Sequence, residues 1–283
     1  MLKGWQRWAY FSQWLIAAGA VLQCWQTTLW LRLPRLSIWL YVFVFCSTFL
    51  LYLFHFRFYR IKQPANDRQL FFQQYRTSLV VQFSIAAVLL AFSVYQTGVH
   101  VLVPVSLLAL CAGAYTYFIL KPRHHGIFKY NGIFKILTLS FTWTAVTSIL
   151  PIAAAGKNIL EAQYLLYTGI RWLFMLAICL PFDIRDMRPD ERAHNKTVPV
   201  LLGKVNTYVL CYACLFLHAL LPFAGVVAGW YPVKILLLNL PATALTAWCT
   251  AYSNRHLQDD FSWFLLDSNF ILRAGIISVA LIF

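Results

Sequence analysis

Residues 163–182 read QYLLYTGIRWLFMLAICLPF, twenty residues with a single charge, Arg171. As an α-helix this run is about 30 Å long, at about 1.5 Å per residue, which matches the hydrocarbon core of a bilayer. It is one of about nine such runs: Trp8–Leu31, Ile38–Tyr59, Ser78–Gln96, Val99–Leu120, Ile133–Ala155, Gln163–Phe182, Asn206–Trp230, Val233–Tyr252 and Trp263–Phe283. Pro34, Pro64, Pro122, Pro232, Gly98 and charged clusters separate them. Lipid offers backbone groups no partner, so such runs are expected to be helical. The expected fold is all-α: a polytopic membrane helical bundle of about nine transmembrane helices, forming one domain over residues 1–283.

Composition supports this reading. Hydrophobic residues make up 61% of the 283 and charged residues 11%, against about 25% charged in soluble domains. The net charge of +14 does not indicate a nucleic-acid partner, because the basic residues lie in short loops between apolar runs. The anionic inner leaflet is the simpler partner. The seven Cys all fall inside apolar segments and read as small packing residues; Cys211 and Cys214 lack the second pair that a zinc site needs. The first apolar run has no cleavage-type site after it and reads as a span.

Loop charge sets orientation. With the N-terminus cytoplasmic, seventeen Lys and Arg fall on that side and four (Arg32, Arg35, Lys157 and Lys234) on the other. The expected location is therefore a bacterial inner (plasma) membrane, N-terminus cytoplasmic and C-terminus external. Asp67, Asp183, Asp186, Asp190, Glu191, Asp259 and Asp260 share the cytoplasmic side. Acids contribute little to orientation, so their clustering there suggests chemistry.

The informative segment is Pro181–Lys204, PFDIRDMRPDERAHNKTVPVLLGK. Asp183, Asp186 and Asp190 are spaced i, i+3 and i+7, which on a continuous helix is one face. Carboxylates so placed suit Mg²⁺, which takes oxygen ligands and is often bridged to a substrate phosphate. Arg185, Arg188, Arg192 and Lys196 are nearby phosphate donors. Pro189 disfavours helix at Arg188, which would put Asp190 on a separate turn. A solvated, salt-bridged loop is the alternative.

D-I-R-D-x-x-x-D followed by K-T-V-P-V-L-L-G resembles the second aspartate-rich motif of the UbiA superfamily of intramembrane prenyltransferases. Tyr115–Pro122 (YTYFILKP) and Gly132–Pro151 (GIFKILTLSFTWTAVTSILP) are similar to that family's cytoplasmic loop and following helix, with Lys121 and Lys135 at basic positions. The resemblance implies transfer of a prenyl group from a prenyl diphosphate to a hydrophobic, lipid-soluble acceptor at a cytoplasm-facing cavity. It implies Asp183, Asp186 and Asp190 as metal-holding catalytic residues and Lys121 and Lys135 as basic residues at the diphosphate, joining Arg185 and Lys196; Arg57 and Arg60, in the region of the family's first motif, are read as fixed charges that would contact the diphosphate directly. The Mg²⁺ would neutralise the leaving diphosphate.

The family's first motif, N-D-x-x-D-x-x-x-D, has no counterpart: residues 51–64 read LYLFHFRFYRIKQP, without a carboxylate. The expectation is therefore one strongly held Mg²⁺, faced by basic groups. His55, on a helix face with Tyr52 and Tyr59, is a candidate cavity residue or part of an interfacial belt. The missing motif also keeps open a catalytically inactive relative that binds an isoprenoid lipid or a partner protein. Arg171, Arg273 and Asp267 are intramembrane charges, expected to line a cavity or to pair, Arg171 with Asp267 being one option.

Overall fold

The computed structural model describes residues 4–58, 67–97, 106, 110, 113, 131–192, 194–257 and 260–282. Its helices are α1 (Gly4–Phe11), α2 (Trp14–Trp30), α3 (Ile38–Phe58), α4 (Asp67–Gln74), α5 (Arg76–Thr97), α6 (Asn131–Thr144), α7 (Leu150–Ala154), α8 (Ala162–Arg185), α9 (Met187–Arg192), α10 (Val198–Val227), α11 (Lys234–Arg255) and α12 (Asp260–Ile282). Among the described residues there is no strand. Among the described residues six helical stretches are long and apolar enough to cross a membrane: 76–97, 132–154, 162–185, 198–227, 234–255 and 261–282. The expected span Val99–Leu120 lies almost wholly outside the described residues.

The first expected span divides in two. Gln13 adopts a left-handed conformation (φ 70°), and α1 ends before it. Its side-chain Nε2 donates to the carbonyls of Phe11 (3.0 Å) and Tyr10 (3.3 Å), satisfying groups the helix end leaves open. The seventh expected span is also extended. α10 starts at Val198 rather than Asn206, with Pro199 in its first turn where no N–H is needed. Gly203 (φ 78°, ψ 163°) interrupts it in a region open essentially to glycine alone.

Three prolines inside the spans free carbonyls for which neighbouring helices supply donors. A proline removes the hydrogen bond to the carbonyl four residues earlier, and lipid cannot replace it. Pro181 frees Ala177, whose carbonyl accepts from Cys211 Sγ at 3.0 Å. Pro222 frees His218, whose carbonyl accepts from Asn239 Nδ2 at 3.2 Å. Pro151 frees Thr147, whose carbonyl accepts from the Thr27 hydroxyl. The last case lies in a π-helical turn, Ala145–Ile149, between α6 and α7, the kind of local widening that accompanies inserted side chains. These bonds tie α8 to α10, α10 to α11, and α2 to the turn after α6.

Close packing follows where side chains are small. Ala17, Gly19, Ala20 and Cys24 form a buried stripe on α2. A Cβ on Gly19 would lie 2.5 Å from the Phe270 ring of α12, so only glycine allows that approach. α8 packs against α6 and α10 and carries a buried core of Phe174, Met175, Ala177 and Leu180. Its last turn delivers Asp183 to the end of the bundle.

Candidate functional site

Asp183 sits on the final turn of α8 and is almost wholly buried (6% exposed). Lys135, from the start of α6, places Nζ 3.5 Å from Asp183 Oδ1. This approach depends on Gly132. A Cβ there would stand 2.5–2.6 Å from Thr197 N, Lys196 O and Thr197 Cα, all backbone atoms that cannot swing aside. The N-terminal turn of α6 is thereby pressed against the K-T-V-P segment, and Lys135 comes one turn later.

α8 ends at Arg185, and Asp186 leaves the helix as its C-cap (φ −88°, ψ 4°). The short α9 carries Asp190, whose N–H donates to the Asp186 carbonyl at 3.0 Å. The expectation from Pro189 was a separate turn for Asp190. The break does occur, but at Asp186, and Pro189 falls within the first turn of α9, where it is tolerated. Asn195 Nδ2 donates to Asp190 Oδ1 at 3.2 Å. Burial pushes the Asp190 carboxyl above the ordinary aspartate value, against the pull of Lys135 and of the Asn195 hydrogen bond.

Asp183, Asp186, Asp190 and Lys135 are close enough to act on one another electrostatically. Asp183 Oδ2 and Asp190 Oδ2 are buried without a hydrogen-bond partner. Asp186 differs: Arg185 grips it at both oxygens, Nε to Oδ1 at 2.9 Å and Nη2 to Oδ2 at 3.2 Å. The Arg185 guanidinium also lies over the rings of Phe182 (5.4 Å) and Trp263 (5.1 Å). Arg185 is thus held by protein contacts on one edge and by rings. Lys196 is partly buried, and its carbonyl lies at the Gly132 contact. Among the described residues no group of three or more His, Cys, Asp or Glu side chains converges as a ready metal site.

Asp267, on α12, is near enough to act on Arg185 and, together with Asp183, on Cys179. It therefore belongs to this end of the bundle. Arg171 is elsewhere: it bonds Gln26 Oε1 at 3.0 Å, the Tyr167 hydroxyl and, at 3.4 Å, Thr27 Oγ1. Arg171 therefore turns to neutral partners rather than to Asp267. The side chains of His55 and Arg57, and the residues Arg60 and Lys121, lie outside the described residues. Sequence reading missed Gly132 and Asn195; the closeness of Gly132 to the backbone of Lys196 and Thr197, far along the chain, leaves no local signature.

The sequence model of the UbiA prenyltransferase family matches residues 73–271, which is most of the chain. A solved structure of a digeranylgeranylglyceryl phosphate synthase in membranes is similar in fold. Its TM-score is 0.55 at 14% identity, covering 98% of this chain and 95% of that one. No curated protein matches the chain.

Proposed function

Because the chain belongs to the UbiA prenyltransferase family, we propose that it transfers a prenyl group from a prenyl diphosphate to a hydrophobic acceptor, in a cavity opening to the cytoplasm at Asp183. The observation that carries this reading is the pair of unpartnered, buried carboxylate oxygens, Asp183 Oδ2 and Asp190 Oδ2. A buried carboxylate oxygen without a donor is costly, and a hard cation would satisfy both. Asp183 and Asp190 are therefore the residues that would hold Mg²⁺. That ion, when bound, supplies charge that stabilises the departing diphosphate.

The chain's own residues do the rest. Lys135 offers a compact cation beside Asp183 for diphosphate oxygens, and Lys196 a second from the neighbouring segment. Arg185 keeps Asp186 fixed, so Asp186 acts through position and charge. The rings of Phe182 and Trp263 pack on each other beneath the Arg185 guanidinium and keep this end of the site apolar. Lys121, Arg57 and Arg60 are proposed as further donors on the facing surface.

A second reading, an inactive relative that holds an isoprenoid lipid or a partner protein, is favoured by a specific feature. Residues 51–64 have no carboxylate, and Lys135 and Arg185 already neutralise two of the three aspartates. Transfer of label from a prenyl diphosphate to a lipid-soluble product separates the readings, and equilibrium binding of the same diphosphate, with and without Mg²⁺, to wild type and Asp183→Asn tests the carboxylates. Mg²⁺-dependent binding lost in Asp183→Asn supports the carboxylate assignment. Binding unchanged in affinity and in Mg²⁺ dependence refutes it.

A further inference from the structure

The middle of the bundle carries a polar cluster that the Asp183 site does not use. Arg171 of α8 and Arg273 of α12 are nearly fully buried, 3% and 1% exposed. Arg171 lies twelve residues before Asp183 on the same helix, about 18 Å away at about 1.5 Å per residue. The charge of Arg171 acts on Arg273.

Every partner of the two cations is neutral. Arg273 Nη2 donates to Asn239 Oδ1 (2.7 Å) and to His218 Nε2 (2.6 Å). His218 Nδ1 stands 2.9 Å from the Ile170 carbonyl. A carbonyl only accepts, so Nδ1 carries the proton and Nε2 is the acceptor, leaving His218 uncharged. The Arg273 guanidinium lies 4.0 Å from the Phe174 ring centroid. Arg171 is held by Gln26, Thr27 and Tyr167 as described, with the Tyr167 ring 5.3 Å from its guanidinium carbon. Among the described residues neither arginine meets a carboxylate.

Donors remain over. Arg171 Nε, Arg273 Nε, Arg273 Nη1 and Gln26 Nε2 are buried without a partner; the unpartnered acceptors nearby are Gln23 Oε1 and, one turn before Arg273 on α12, Asn269 Oδ1. Two uncompensated cations and a surplus of donors in a low-dielectric interior lack negative charge borne on acceptor oxygens. We propose that this cluster, between α2, α8 and α12, is a second ligand site that binds an oxyanion, a carboxylate or phosphate group. The oxyanion comes either as a free ion or as the head of an amphiphile whose chain lies in the bilayer. The proposal stands apart from the prenyltransferase reading and uses none of its residues.

The test uses the full-length protein in neutral detergent. Thermal unfolding is followed with acetate, inorganic phosphate, dodecanoate, dodecyl phosphate and, as the neutral control, dodecanol. A rise in Tm with the oxyanions and none with dodecanol is expected. A rise with acetate or phosphate identifies the free ion; a rise confined to the dodecyl anions identifies an amphiphile head. Arg273→Gln and Arg171→Gln should each weaken binding about tenfold or more, the range for one charged hydrogen bond, whereas Asp183→Asn should leave the shift in place. Should the arginine variants not fold, equilibrium dialysis of wild type with labelled dodecanoate, acetate and phosphate decides. Saturable retention of about one per chain supports the site, and no saturable retention of any of the three overturns it. Equal shifts with dodecanoate and dodecanol, a shift kept in folded Arg273→Gln, or a shift lost in Asp183→Asn also overturn it.

Discussion

Replacing Gly132 by Ala tests whether the site is assembled by one close backbone contact. The added Cβ would meet three backbone atoms of Lys196 and Thr197 at 2.5–2.6 Å. Ordinary contacts lie near 3.5–4.0 Å, so the two segments must part by about 1 Å. Overpacking of this kind costs about 1–3 kcal/mol. Displacement by about 1 Å at a reacting centre can lower turnover by about 100-fold, and Lys135 rides on the displaced turn. Gly169→Ala is the matched control, because nothing lies within 4 Å of its Cβ and alanine favours the interior of α8 by about 0.5–1 kcal/mol. The assay is the rate of prenyl transfer in membrane fractions, paired with Tm in detergent. Loss of activity in Gly132→Ala with Gly169→Ala unaffected is the expected result. Full activity and an unchanged Tm in Gly132→Ala would refute the reasoning.

The remaining predictions are independent of one another. Cys211→Val strands the Ala177 carbonyl that Pro181 frees and should lower stability by about 1–3 kcal/mol, whereas Cys211→Ser keeps a donor and should unfold at a higher temperature than the valine variant; equal Tm values would contradict the carbonyl assignment. Lys135→Met leaves Asp183 buried beside other acids. Lys135 keeps 24% of its side chain exposed, so the cost is reduced by solvent screening to about 1–2 kcal/mol; Lys135→Arg should recover most of it, and a Met variant as stable as wild type would count against the pair. A reporter fused after Phe283 should be active only when it works outside the cytoplasm, following the basic-residue bias; activity restricted to a cytoplasmic reporter overturns the orientation.

The helical architecture was legible because lipid leaves the backbone one solution for each apolar run, and runs such as Gln163–Phe182 announce it by length. The break at Gln13 was not legible, since a left-handed glutamine has no compositional mark. Pro151, Pro181 and Pro222 stand inside expected spans, and the donors that answer the carbonyls they free, Thr27, Cys211 and Asn239, come from other helices and carry no signal at any fixed spacing. The aspartate segment was legible through its carboxylates and its family resemblance. The division of labour within it was not: that Arg185 would claim Asp186, leaving oxygens of Asp183 and Asp190 open, depends on α8 ending at Asp186. Arg171 and Arg273 stood out as costly charges, while His218, Gln23 and Gln26 reveal their part only when four helices are brought together.

On the reading proposed above, Asp183 and Asp190 serve a metal-dependent prenyl transfer. It is tested most directly by incubating membrane fractions containing the full chain with labelled prenyl diphosphates of several lengths and extracted membrane lipids as acceptor. Mg²⁺ is supplied or chelated, and wild type is compared with an Asp183→Asn, Asp190→Asn double variant of equal abundance. Label should pass to a lipid-soluble product in wild type with Mg²⁺, and that transfer should be lost on chelation and in the double variant. Transfer that persists in the double variant, or that ignores Mg²⁺, would contradict that reading.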